Sequence, residues 1–210
     1  MKTKIKTPEG ITKVGHVDDE KFEAVRLLQG GGDFSVQFRV DPKRKLQKAI
    51  WGIQTILGAE VDKPQAREIY TALSQLALPL NPRSFVEYSV KSGIVPIGMP
   101  QRGGSFHKED HPTTSTSNIA GLTTEYLVDD RPRGNFETRV LSKDDLLHDY
   151  DGLTTADLNG MSREEIERLG LTFWSPDASE VIQSQNAVHR SVVNETGEAQ
   201  ERVFARATQL

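Results

Sequence analysis

The chain has 210 residues, 36% of them hydrophobic and 27% charged, with a net charge of −4 and no cysteine. A chain of this size can bury a core without staples, and the lack of cysteine excludes disulfides, thiolate-bound zinc, iron–sulfur clusters and a thiol nucleophile. No run approaches the roughly 18 consecutive apolar residues of a membrane helix, and the basic start, Met1 to Pro8, has no apolar stretch behind it.

Residues 1–17 read as an extended N-terminal arm, broken by Pro8, Gly10 and Gly15. Residues 18–141 read as an α+β core. Asp18 and Asp19 can cap a short helix that buries Phe22, Val25 and Leu28 and stops at Gly30-Gly-Gly32. Phe34, Val36, Phe38 and Val40 alternate with Ser35, Gln37 and Arg39, the pattern of a half-buried strand. Asp41 and Pro42 then open a helix with the stripe Leu46, Ile50, Ile53, Leu57, ended by Gly58. A second helix from Asp62 carries Ala66, Ile69, Leu73 and Leu76 and stops before Pro79. The short connection predicts an αα-hairpin.

Alternation returns at Val86, Tyr88 and Val90, and Ile94 to Ile97 reads as a short edge strand because of Pro96. Residues 98–124 lack periodicity and read as a long polar loop. Two further strands, at 125–128 and 136–141, flank an exposed turn. Residues 142–210 read as a helical C-terminal region and tail. Ser142 can cap one helix, and Ser162-Arg-Glu-Glu165 is a capping box closed by Gly170. From residue 177 on, Val181, Val188, Val192 and Val203 are too thinly spaced to bury a tail alone. The expected fold is therefore α+β, a small mixed or antiparallel sheet packed on the αα-hairpin.

Charge is uneven: residues 1–50 carry 11 Lys/Arg against 7 Asp/Glu, and residues 151–210 carry 5 against 10. The basic cluster Lys43, Arg44, Lys45 and Lys48, joined by Arg102, could neutralise nucleic-acid phosphates. Positive charge in a helix's first turn also opposes the macrodipole, which asks for an external reason. The metal candidates are His107 and His111, which on a helix would share a face beside Glu109 or Asp110. The surrounding Gly, Ser, Thr and Pro favour a solvated loop instead. Gly30–Gly32 precedes a strand, the wrong order for a phosphate loop, and no Gly-x-Ser-x-Gly elbow occurs. No cofactor is implied. The stretch from Asp149 to Leu171 resembles the middle of sterile-alpha-motif domains, but a capping box and a glycine stop generate the same string.

These residues lead to a structural subunit, most concretely of a virus or phage particle, contacting copies of itself or other structural proteins through arm, loop and tail. It would be cytoplasmic or assembled in a virion, with no membrane contact. Truncating residues 1–17 or 185–210 should then leave the core folded and abolish assembly. A nucleic-acid-associated protein is the second reading, and an enzyme whose site is scattered through the sequence is the third.

Overall fold

Hydrogen-bonded starts fix the short helices of the C-terminal half. Ser142, Thr154 and Ser162 each accept the backbone N–H three residues on and receive a carboxylate in return, from Asp145, Asp157 and Glu165. Helices of five to seven residues are unstable alone. Each of these is held by one fully buried side chain: Leu146, Leu158 and Ile166. Gly170, at φ +78, supplies the left-handed residue that ends the last of them and turns the chain into a strand.

The structure is a computed structural model that describes residues 7–16, 34–40, 63–76, 80–81, 84–100, 104–108, 113–117, 124–131, 138–177, 180–184 and 186–210. The strands are β1 (Ile11–His16), β2 (Phe34–Val40), β3 (Val86–Val95), β4 (Thr113–Ser117), β5 (Thr124–Asp129), β6 (Arg139–Val140), β7 (Leu171–Trp174), β8 (Glu180–Ser184), β9 (His189–Ser191) and β10 (Gln200–Gln209). The helices among these residues are α1 (Lys63–Leu76), α2 (Lys143–Asp149), α3 (Thr155–Asn159) and α4 (Arg163–Arg168).

Two antiparallel sheets result. One has six strands in the order β1-β8-β4-β10-β3-β2, and the other has β6-β5-β7 with β9 also on β5. Ile11 and Ile182 of the first sheet share a buried cluster with Tyr126, Val128, Val140, Trp174 and Ala187, so the sheets pack face to face. The outer face of the four-stranded sheet buries Leu127, Leu171 and Val188 under α2, α3 and α4.

Register tells which way the six-stranded sheet points its residues, because direct cross-strand partners share a face. Lys13 pairs with Ile182, Ile182 with Ser115, Ser115 with Arg206 and Arg206 with Ser89. Since Ile182 lies between the sheets, this row of positions forms the inner face. The opposite face carries Ala205 and Ala207, both fully buried, with Tyr88 paired to Ala207. There α1 packs on β10 and buries Ala66, Leu73 and Leu76. Burial pushes the Tyr88 hydroxyl above its ordinary range, and Tyr70 of α1 adds to the effect.

The expected sheet on an αα-hairpin with a helical C-terminal region is not what forms. The first helix of that hairpin lies outside the described residues, as do the 18–28 helix and Gly30–Gly32. The second helix is α1, against one sheet of a two-sheet, strand-rich fold. The predicted tail is strand at β8, β9 and β10. Ala, Arg, Gln and Glu favour helix intrinsically, but β10 runs between β3 and β4 and bonds to both, so pairing overrides propensity. The predicted arm includes β1, which pairs with β8. The predicted loop 98–124 contains β4 and the strand segment at His107. β1 and β10 are thus strands of one six-stranded sheet.

Two predictions follow from this packing. Deleting residues 200–210 removes the strand between β3 and β4, so the cooperative thermal transition seen by circular dichroism should vanish. A truncated chain that still melts cooperatively would contradict the topology. The second concerns Asp129, whose buried carboxylate receives Arg131 N–H at 2.9 Å and Arg131 Nε and Nη2 at 3.0 Å each. Burial pushes its pKa up, but the hydrogen bonds and charge of Arg131 outweigh that and hold it below the usual carboxylate range. A depressed carboxylate contributes stability above its unfolded value of about 4 and loses it as pH falls through the folded value. Asp129→Asn should therefore be less stable at neutral pH, and urea titrations should show the gap closing below about pH 4.

Candidate functional site

Four ring side chains stand in one row across the four-stranded sheet. His107 bridges His189, His189 pairs with Tyr126, and Tyr126 pairs with Trp174. Successive ring centroids are 4.4, 5.4 and 5.9 Å apart. Tyr126 and Trp174 belong to the cluster between the sheets. Their cross-strand partners share that face, so both histidines point inward. Strand alternation explains the pattern: Phe106, Arg190, Glu125 and Phe173, each the neighbour of one ring, face the other way.

Each imidazole is oriented by its own strand. His107 Nδ1 lies 2.9 Å from the Ser105 carbonyl oxygen, and His189 Nδ1 lies 2.9 Å from that of Ala187. A ring that donates from Nδ1 carries its lone pair on Nε2. Ligating histidines are commonly held in this way. The backbones of His107 and His189 exchange two N–H···O bonds of 2.9 Å each, fixing the rings relative to one another. His189 is buried, at 8% exposure.

The opposing inner face is cationic and polar. Arg202 is fully buried on β10, opposite Gly93 of β3. Phe204, Arg206 and Thr208 follow on the same face at two-residue steps. The Thr208 hydroxyl is buried and has no hydrogen-bond partner among the described residues. At the far end of the row Lys13 Nζ meets the Trp174 ring across the gap at 5.9 Å and bonds Glu180 at 2.6 Å.

Behind the rings lies a second network. Glu125 accepts from Arg163 at 2.8 Å and Arg190 at 2.9 Å. The Arg190 guanidinium sits 4.4 Å from the Phe106 ring centre and 5.3 Å from that of Phe173, over which Arg163 also lies at 4.0 Å. These contacts stiffen the same strands that carry the histidines.

Of the residues singled out in the sequence, His107 falls in this row, beside His189. His111 lies outside the described residues, as do Lys43, Arg44, Lys45, Lys48 and Arg102. Among the described residues no three His, Cys, Asp or Glu side chains converge as a metal site; Glu109, two positions after His107, is outside that set. Sequence reasoning missed His189, Arg202 and Arg206. The segment Ala187-Val-His-Arg-Ser191 has no apolar alternation that would have marked it as a strand.

No family model and no curated protein matches the sequence. Solved structures do. The dioxygenase for auxin oxidation 1 from Arabidopsis thaliana, in binary complex with 2-oxoglutarate, matches with a TM-score of 0.53 at 11% identity, covering 96% of this chain and 83% of that one. JOX2, solved with 2OG, Fe and JA, gives 0.48 at 12% identity over 96% and 68%, a similarity too low to carry an argument. The first match shows a common fold, a two-sheet jelly roll. It overturns the particle-subunit reading: the fold is shared with an enzyme, and the supposed arm and tail are β1 and β10 of the chain's own sheet. Among the described residues no helix is long and apolar enough to cross a membrane. Assembly in a virion has no support.

Proposed function

We propose that this protein is a non-haem iron(II) oxygenase that uses an oxo-acid co-substrate of the 2-oxoglutarate type. The observation that carries the reading is the bridged pair His107 and His189, facing inward with both Nδ1 atoms tied to backbone carbonyls. Two imidazoles and one carboxylate with open positions are the ligand set of such enzymes. For the carboxylate the sequence offers Glu109, two positions after His107. The donors fit the group: imidazoles and a carboxylate suit iron, and the absence of cysteine leaves no competing thiolate. Iron(II) bound there would supply the centre at which dioxygen is activated.

The chain's own residues bind and orient. Arg206 lies on the face opposite the histidines, where a guanidinium offers two parallel donors to a carboxylate. The Thr208 hydroxyl, buried and without a hydrogen-bond partner among the described residues, adds a third donor on that face. The match to a 2-oxoglutarate-bound dioxygenase supports a dicarboxylate here. Arg202, at 1% exposure, keeps a second positive charge on that face. Tyr126, Trp174 and Ile182 form an apolar wall that limits water at the histidine row.

Cobalt(II) titration followed by visible absorption tests the ligand set. His107→Ala, His189→Ala and Glu109→Ala should each weaken binding at least about tenfold. Arg206→Ala should retain cobalt affinity and lose succinate formation from 2-oxoglutarate in the iron-loaded protein. Unchanged cobalt affinity in both histidine variants would overturn the proposal.

A further inference from the structure

Among the described residues, the strand segment that carries His107 is the outermost of its sheet. On one side the His107 backbone exchanges its pair of hydrogen bonds with His189. In an extended strand the backbone groups of neighbouring residues point to opposite sides. The N–H and C=O of Phe106 therefore face away from β9, towards the edge. They are met there by a side chain. The Phe106 N–H donates to Asn159 Oδ1 at 2.5 Å, and Asn159 Nδ2 donates to the Phe106 carbonyl at 3.3 Å.

We propose that Asn159 is a positioning residue for His107: its amide takes the place of a neighbouring strand and sets where the imidazole stands relative to His189. The inference rests on the metal-binding reading above. Three observations carry it. The amide satisfies both polar groups of the residue adjoining His107, donating to one and accepting from the other, which an ionised carboxylate cannot do. Asn159 is the last residue of α3, and α3 is fixed by its capping box and by fully buried Leu158, so the amide is presented from a rigid element. Last, the Phe106 side chain is buried against the same helical layer, with Arg190 stacked on its ring, so sliding the segment along the edge would also break those contacts. A covered edge also resists pairing with foreign strands, but the bidentate match to this one residue is what connects α3 to the histidine pair.

The experiment compares Asn159→Leu, Asn159→Asp and Leu73→Ala in the full chain, at a temperature below every melting point. Asn159→Leu should weaken cobalt(II) affinity about tenfold, alter the visible spectrum of the bound ion and speed hydrogen exchange at the His107 amide. Asn159→Asp keeps the acceptor for the Phe106 N–H and should recover most of that affinity. Leu73→Ala lowers the melting temperature through α1, which packs on the other sheet, and should leave cobalt affinity and His107 exchange unchanged. Wild-type cobalt affinity and exchange in Asn159→Leu would overturn the positioning role, as would an equal affinity loss in Leu73→Ala. If His107→Ala and His189→Ala lose cobalt while Asn159→Leu does not, the positioning role alone fails. If the histidine variants keep their affinity, both fail.

Discussion

The insertion of β10 between β3 and β4 is the constraint on which the other features depend. Its ten residues pair along their whole length with β3 and over five positions with β4. The last strand of the chain thereby joins an early strand to the middle of the sheet. It also splits the polar and apolar duties of that sheet between two faces. Ala205 and Ala207 are small enough for α1 to approach closely on the outside. Arg202, Arg206 and Thr208 face the gap on the inside, where a purely structural core would carry aliphatic residues.

That polarity is the physical link between fold and site. Buried charges are costly and are retained where something pairs with them. The facing row of His107, His189, Tyr126 and Trp174 gives the gap two chemically different walls. One wall presents nitrogen lone pairs on a stiff ladder, and the other presents cationic and hydroxyl donors. The capping boxes, the Leu127–Leu171–Val188 layer and the Glu125–arginine network all lie behind the first wall and hold it in place. The fold supplies precision from elements that never touch the chemistry.

Much of the local structure was legible in the sequence. Alternation marked β2 and β3, and serine caps marked α2 and α4, because those patterns arise within a few residues. What was not legible depends on distant partners. β10 is buried on both sides, so its sequence, Arg-Val-Phe-Ala-Arg-Ala-Thr, lacks the one-sided apolar alternation that reveals a strand. β4 is Thr-Thr-Ser-Thr-Ser and reads as loop until two neighbours pair with it. The site was half visible. His107 stood out with its acidic neighbours, but the nearest histidine in sequence, His111, drew attention from His189, which only sheet pairing brings across. Clustering along the chain was a poor guide because the site's spacing is set by strands crossing the gap.

The most direct test of the account is a crystal structure of the cobalt(II)-loaded protein with anomalous scattering. The account predicts one strong peak between the two sheets, bonded to the Nε2 atoms of His107 and His189 and to the carboxylate of Glu109. A peak held by other residues, or none at saturating cobalt with the two histidines still bridged, would contradict it.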